Sequence, residues 1–455
     1  MLHLSLFSAI NRTIQKIHLD PFFFFQYNTK ASLGVRISLL AFLFLQVYSY
    51  HFTVNAAPTA SKKNTYFKVA DLQNDLTNLP YSSENTIQLA TDSVLVDSVV
   101  TGFVPALSYS TEVGLAGGLI WSRLAYGQQY PFNQHISIAS LASSKGLAGL
   151  NFFLDQPCSF ICSDRFILNV ILNRFLEDQY YGVNTATRLN LDNNPKRFEY
   201  RSFTMKLNLE YRMSLKKLPL ASEYLSKSLY GFLSADLQYK TPWNNESGKL
   251  IMVEQPTGYQ GAYGFWLGFG GLIDTRNSEF YPSQGWYSKQ QFKGSVESVL
   301  SDFNQSSFLS DTRFYHDFKL IIPIVFAQRV SYQWSNSEEQ TPYWSFPSLG
   351  GEEYLRGYVN NRFLVPQFWA TNTELRTWLF DVNQYNVKIG GTLFLDAGSF
   401  TDDQTWLSDD WADNLKYTAG FGGLVSFFSP DFILRVDLGV SEEGYGIFFS
   451  TGVLF

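Results

Sequence analysis

Apolar and polar residues alternate along most of this chain, in short segments that run from about residue 98 to its end. In FTMKLNLEYR, residues 203–212, every second side chain is apolar or aromatic and those between them are polar or charged. The segment FILRVDLGV, residues 432–440, places Arg435 and Asp437 opposite its aliphatic side chains. Because successive side chains of a strand point to opposite faces, this period of two predicts β-strands with one apolar face. The alternation alone fits either a soluble β-sandwich or a transmembrane β-barrel.

The number and spacing of these segments favour the barrel. About sixteen segments, spaced by about twenty residues, leave room for tilted strands of about 9–11 residues and their connections. An even number of this size is typical of bacterial outer-membrane barrels. We therefore predict an all-β fold, a 16-stranded antiparallel transmembrane β-barrel, over residues 99–455. The segments begin near Phe103, Glu112, His135, Ala148, Arg165, Phe198, Leu229, Ala262, Gly285, Phe308, Val325, Phe368, Val387, Leu415, Phe432 and Tyr445.

The composition agrees with a chain that meets lipid on one side and water on the other. Charged residues make up only 16% of the chain, below the roughly 25% of a soluble protein, and aromatic residues make up 17%. After residue 47 no uninterrupted apolar stretch is long enough to span a membrane as a helix, which leaves a barrel as the membrane fold. The net charge of -6 argues against a nucleic-acid partner, which would need a basic surface.

The N-terminal region predicts export. Residues 37–47, ISLLAFLFLQV, form an apolar run behind the basic residues Lys30 and Arg36. This run and the small-residue site after it predict a signal peptide with an extended N-terminus over residues 1–56. The alternative is an uncleaved anchor, although a spanning helix needs about 20 apolar residues. Residues 57–98 are predicted to be a periplasmic linker.

The long connections are expected on one side of the membrane. The longest lie at about 176–197, 241–261 and 336–367, and each joins an odd-numbered segment to an even-numbered one. If both ends of the barrel are periplasmic, these three are extracellular loops, and the third is the sixth such loop.

The first and last strands must meet to close the barrel. The last segment, YGIFFSTGVLF, ends on Phe455, which shares parity with Tyr445 and Phe449 and is therefore expected to face lipid. The first segment contains Gly102 and Pro105, and proline cannot donate a ladder hydrogen bond. This pairing is therefore expected to be weak.

Four motifs carry a family resemblance. Along the chain these read DTRNSEFYPSQG at residues 274–285, PSLGGEEYLRGY at 347–358, NTELR at 372–376 and FLDAGSF at 394–400. In this order they resemble the signatures of the BamA/TamA-type outer-membrane assembly and secretion superfamily, the bacterial surface antigen family. The matching residues are Arg356, Gly357 and Tyr358 of the loop, Phe394, Asp396 and Gly398 of the strand, and Asp274, Arg276, Pro282 and Gly285 of the turn.

The resemblance implies that the sixth extracellular loop folds into the lumen and presents Arg356. Strand parity places Glu374 and Asp396 on the lumenal side of neighbouring strands. A guanidinium can bind carboxylates bidentately, so we expect these three residues to hold the loop against the barrel wall. The alternative is that they are ordinary lumenal charges. We call the three residues the Arg356 lock.

Relatives that assemble or secrete proteins usually carry periplasmic POTRA modules before the barrel. Residues 57–98 are too few for one such module, and the chain therefore resembles a short branch without POTRA domains. This departure leaves the capture of a substrate open, because POTRA modules are where clients dock by strand addition.

The functional prediction is a translocation or membrane-insertion factor that acts through a lateral seam. The alternative is a passive pore or a structural barrel. Expected partners are outer-membrane lipid and lipopolysaccharide, and possible further ones are a secreted or membrane-protein client and a periplasmic chaperone. The chain is expected to be a monomer in the outer membrane of a Gram-negative bacterium.

Catalytic and metal chemistry are not expected. The sequence has no G-x-S-x-G elbow, and after signal cleavage only His135 and His316 remain, so we predict no enzyme and no cofactor. Cys158 and Cys162 lie in a periplasmic connection, where they could form a disulfide or remain as two thiols.

Overall fold

The computed structural model describes residues 98–126, 132–159, 164–183, 195–215, 229–320, 322–336, 340–382, 387–401, 410–427 and 433–455. The predicted signal peptide lies outside the described residues, as does all of the predicted linker except Ser98.

The described chain forms a closed antiparallel barrel of sixteen strands, which confirms the predicted fold class and strand number. Each strand pairs with its neighbours along the chain, and the last strand returns to the first. The strands are β1 Ser98–Ser110, β2 Gly114–Tyr126, β3 Gln134–Ser143, β4 Ala148–Pro157, β5 Asp164–Gln179, β6 Glu199–Ser214, β7 Leu229–Pro242, β8 Ala262–Asp274, β9 Gly285–Ser295, β10 Gln305–Phe318, β11 Ile324–Ser335, β12 Gln367–Val382, β13 Val387–Thr401, β14 Lys416–Phe427, β15 Ile433–Val440 and β16 Tyr445–Thr451.

The period of two in the sequence becomes two different barrel faces. On β13, Leu393 and Leu395 are exposed on the outer face, whereas Phe394 and Asp396 are buried inside. Apolar side chains on the outer face suit contact with hydrocarbon, and the polar ones line the interior. The alternation therefore identifies which residues can reach a loop that enters the lumen.

The connections carry the few short helices and the packed clusters. Among the described residues, no helix is long and apolar enough to cross a membrane. The helices are α1 Leu250–Glu254, α2 Gly351–Tyr354 and α3 Asp410–Asp413, with 3-10 turns at Pro195–Arg197 and Tyr343–Ser345 and a small strand pair of Ser348–Leu349 with Phe363–Leu364.

Two apolar clusters lie at the end of the barrel where the long loops emerge. One joins the sixth loop to β12 and β13 and contains Leu349, Tyr354, Leu355, Tyr358, Phe363, Val365, Phe368, Ala370 and Phe400. The other joins three loops and contains Tyr180, Tyr181, Phe198, Tyr200, Leu250, Ile251, Tyr343 and Leu364. These clusters hold the loops over and inside the barrel mouth by apolar burial.

The expectation that Phe455 faces lipid is wrong. Strand β16 ends at Thr451, and Gly452 has a φ of 80°, a left-handed conformation that turns the chain out of the strand. Phe455 is consequently buried, packs against Tyr315 and lies 4.9 Å below the guanidinium of Arg376. The tail therefore enters the interior instead of completing the outer face.

Candidate functional site

The sixth loop, residues 336–366, enters the interior through a tight glycine turn. Gly350 and Gly351 have φ values of 134° and 71°, which L side chains rarely adopt. A Cβ on Gly351 would also meet the Asn360 side chain at 1.7 Å. The paired glycines are thus required where the chain turns into α2 and folds back on itself.

Arg356 follows α2 and is completely buried among carboxylates. Its Nε and Nη2 donate to the two oxygens of Asp396, at 2.9 and 2.7 Å. Its Nη1 donates to Glu374 at 2.5 Å and to Asp437 at 3.0 Å. The guanidinium carbon also lies 3.4 Å from the ring centroid of Phe394. All faces of this side chain are therefore occupied by contacts from three strands, β12, β13 and β15.

The charges around Arg356 balance. Glu374 also accepts from Arg376 Nε at 2.7 Å, and Asp437 lies 3.2 Å from Arg435 Nε. Together with Asp396, three carboxylates face three guanidinium groups. Burial would lower the pKa of Arg356, but Asp396 and Glu374 outweigh it and raise the pKa above its usual range. The loop arginine is therefore held permanently charged and paired.

The rest of the loop and strand motifs bring the backbones close together. Gly357 N donates to Thr418 Oγ1 at 3.2 Å, and Tyr358 is buried against Phe363. A Cβ on Gly398 would meet Leu349 of the loop at 3.1 Å. Because Gly357 and Gly398 have no side chains, the loop can lie directly on the barrel wall.

The turn motif lies at the other end of the barrel, between β8 and β9. Arg276 Nε and Nη2 donate to Asp274 at 2.9 and 2.7 Å. Gly285 has a φ of 105°, and a Cβ there would meet the Thr275 carbonyl at 2.3 Å. Pro282 is buried in the same turn. The structure thus separates this motif from the Arg356 lock and gives it the geometry of a braced turn.

Cys158 follows β4 with a φ of 59°, and its N–H donates to the Asp164 carbonyl at 2.7 Å. Cys158 is disulfide-bonded, and Cys162 lies outside the described residues. Within the described ranges, no group of three or more His, Cys, Asp or Glu could hold a metal ion.

The sequence predicted that Arg356 meets Glu374 and Asp396, and it did not predict Asp437 as the third carboxylate. The alternation of residues 432–440 placed Asp437 inside the barrel, yet its height relative to Arg356 depends on the register of three strand pairs. Arg376 and Arg435 were missed as counter-charges for the same reason.

The edge between β1 and β16, which we call the seam, has the shortest pairing in the described barrel. Only Tyr109 with Phe449 and Ser110 with Phe448 are in register there. By contrast, β1 pairs with β2 along its full length, and β5 pairs with β6 through fourteen residue pairs. The barrel is closed at the seam only beside the β1–β2 hairpin, where Thr111 N also donates to the Ile447 carbonyl at 3.2 Å.

Comparison with known families identifies the family of the barrel. The family model described as the Omp85 superfamily domain matches residues 163–455. No curated protein matches the sequence.

Two solved structures are similar to this chain. The chain is similar to BamA from Haemophilus ducreyi lacking POTRA domains 1–3, with 14% identity and a TM-score of 0.50 over 78% of this chain and 70% of that chain. CdiB from Escherichia coli gives 12% identity and a TM-score of 0.49 over 79% and 68%. Identities this low support the fold alone. Because the family model covers more than half of the sequence, this chain belongs to the Omp85 superfamily, as its resemblance to the BamA/TamA type predicted.

Proposed function

We propose that this chain inserts or translocates polypeptide at the outer membrane, by admitting a client strand at the seam while the Arg356 lock holds the sixth loop. Omp85 barrels are outer-membrane proteins and typically serve as non-enzymatic translocation or insertion factors. The observation that carries the proposal is the pairing of β1 with β16 through only two residue pairs.

A short seam leaves most of the β1 edge without a ladder to β16. Backbone groups inside a membrane need hydrogen-bond partners, because water is absent there and each unsatisfied group costs several kcal/mol. An extended client segment can supply those partners by strand addition. The unladdered edge is therefore a template for an incoming strand.

The loops favour this reading over a passive pore. Tyr180 of the loop between β5 and β6 donates to Glu254 of α1 at 3.0 Å, and Tyr200 and Tyr343 share a hydrogen bond of 3.0 Å. The sixth loop contributes Tyr343 and Leu364 to this cluster and also packs on β12 and β13 through the other cluster. A lumen that holds packed loops is better suited to a strand entering from the side than to a solute passing through.

The partners follow from this role. The exposed apolar outer face contacts outer-membrane lipid and lipopolysaccharide, and the client is a secreted or membrane protein delivered by a periplasmic chaperone. The barrel acts as a monomer, because the seam belongs to a single chain.

The test measures folding of a client. A urea-unfolded eight-stranded barrel protein is diluted into liposomes with and without the purified chain, in a Cys158→Ser, Cys162→Ser background. We expect faster client folding with the chain present, and loss of that acceleration when a Tyr109→Cys, Phe449→Cys disulfide closes the seam.

A matched disulfide provides the control. Phe269 and Phe292 are paired on β8 and β9 and are exposed on the outer face, so their cysteine variant crosslinks a fully laddered edge. This control should keep the acceleration. No acceleration by the uncrosslinked chain, together with steady large conductance in planar bilayers, would assign the barrel to passive pores.

A further inference from the structure

The sixth loop has a second buried arginine, which reaches one side of the seam. Arg362 Nε and Nη2 donate to Glu443 at 2.7 and 2.8 Å, and Arg362 is 1% exposed. Glu443 lies in the hairpin between β15 and β16. The guanidinium also packs 4.5 Å from the Phe363 ring. A bidentate pair this well buried fixes the loop to the start of β16.

Two residues earlier, the loop reaches the other side of the seam. Asn360 N donates to Glu112 Oε1 at 2.6 Å, and its side-chain amide donates to the other carboxylate oxygen. Glu112 lies in the hairpin between β1 and β2 and is 7% exposed. The contact therefore fixes the same loop segment to the end of β1.

These contacts bridge the two strands that close the barrel. Four side-chain or loop hydrogen bonds, two from Asn360 and two from Arg362, join hairpins on opposite sides of the seam. The ladder between those strands contains only two residue pairs. Ser441 Oγ of the β15–β16 hairpin also donates to the Gly357 carbonyl at 2.8 Å, which adds a further attachment on the β16 side.

We propose that Asn360 and Arg362 are positioning residues that clasp the seam at its extracellular end, so that the seam opens when this part of the sixth loop is released. We call the four residues Asn360, Arg362, Glu112 and Glu443 the clasp. Arg356 binds the loop to β12, β13 and β15, and the clasp extends that attachment to the hairpins beside β1 and β16. The role of the clasp in insertion rests on the proposed function, but its effect on seam geometry does not.

Glu112 makes the clasp sensitive to pH. Burial, the largest effect, raises the pKa of Glu112 to about 7 despite the Asn360 hydrogen bonds, which lower it. The titratable groups facing it are Glu352 of α2, which raises the pKa further, Lys145 of the β3–β4 turn, which lowers it, and Tyr181 of the β5–β6 loop, whose own pKa is raised by burial and by Glu112.

The experiment measures the width of the seam directly. Spin labels are placed at Leu115→Cys on β2 and Tyr445→Cys on β16, both exposed on the outer face, in the cysteine-free background. Double electron–electron resonance in liposomes should give one dominant distance for the otherwise unchanged chain. Asn360→Ala and Arg362→Lys should each raise the longer-distance population at least about tenfold, as expected when one charge-assisted contact is lost.

A matched control separates the clasp from general loosening of the loop. Arg329 is equally buried and holds the same loop on the far side, through the Glu353 carbonyl at 3.1 Å and the Glu353 carboxylate at 3.2 Å. Arg329→Lys should leave the seam distance unchanged. Heat-modifiable electrophoretic mobility verifies that each variant is folded.

The outcomes are distinct. Folded Asn360→Ala and Arg362→Lys variants with the unchanged distance distribution would overturn the clasp, as would equal broadening in Arg329→Lys. Because the readout is a distance within the barrel, a failure of client folding with a responsive seam would reject the proposed function and leave the clasp in place.

Discussion

Replacing Arg356 by lysine tests how the sixth loop is held. Arg356→Lys keeps a positive charge among the three carboxylates but removes the planar fork that binds Asp396 through both oxygens. Lysine also remains a site for trypsin, so cleavage after position 356 reports the same event in both proteins.

The size of the effect follows from the lost contacts. Hydrogen bonds to charged groups contribute about 1.5–3 kcal/mol each, and two such bonds join Arg356 to Asp396. The ammonium of lysine retains part of the attraction to Glu374, so we take the lower end, about 3 kcal/mol. At about 1.4 kcal/mol per factor of ten, the unseated loop should become about 150-fold more populated.

Trypsin cleavage measures that population, because a buried bond is cut only when the segment opens. Cleavage after residue 356 should accelerate about a hundredfold in Arg356→Lys at unchanged barrel mobility. Arg201→Lys provides the matched control, since Arg201 makes an exposed hydrogen bond to the Asn244 carbonyl at the barrel rim. If the cleavage rate of Arg356→Lys rises less than about threefold, the bidentate contact with Asp396 is not the main attachment of the sixth loop.

Three further results are expected. Asp437→Asn removes one of the three carboxylates and leaves Arg356 with weaker compensation, so the same trypsin assay should show acceleration of about tenfold. Gly452→Ala should lower the free energy of unfolding in urea by about 1 kcal/mol, because the left-handed conformation is strained for alanine while its Cβ meets nothing within 4 Å. Unchanged stability would indicate that the packed tail does not keep residue 452 in the left-handed conformation. Glu112 has its pKa raised from 4.5 to about 7, so its stabilising contribution is fully present below about pH 4.5 and is lost as pH rises through 7. The long-distance seam population should therefore increase between pH 6 and pH 8, and Glu112→Gln should abolish that dependence.

The strands could be predicted from the sequence because their signal is local. Alternation over a few residues assigns a side chain to the lipid or the lumen, and it placed Glu374, Asp396 and Asp437 inside. Whether these carboxylates meet at one arginine depends on the register between their strands. That register is set by pairings that a local pattern does not report. Resemblance to a family supplied two of the three partners, and only the structure supplied the third.

The clasp could not be predicted for a related reason. Asn360 and Arg362 lie in a loop without periodicity, and Glu112 and Glu443 lie in hairpins at opposite ends of the barrel sequence. Nothing in the sequence near these four residues indicates a contact between them. Glu112 and Asn360, for example, are 248 positions apart. Closure of the barrel is what brings the first and last hairpins under the same loop.

The error over Phe455 comes from a turn that strand parity does not predict. Parity continues through Val453 to Phe455, so the sequence reads as one long last strand that would ladder along β1. The positive φ of Gly452 ends β16 instead and turns Phe455 toward Arg376. The ladder to β1 already stops at Phe449, two residues before β16 ends. Glycine permits this turn but does not require it, because it is also found in continuous strands. The guanidinium and the apolar pocket of Tyr315 favour the inward position, and both are formed by strands remote in sequence. The direction of the C-terminal tail is thus decided by tertiary contacts that select one backbone conformation at a single residue.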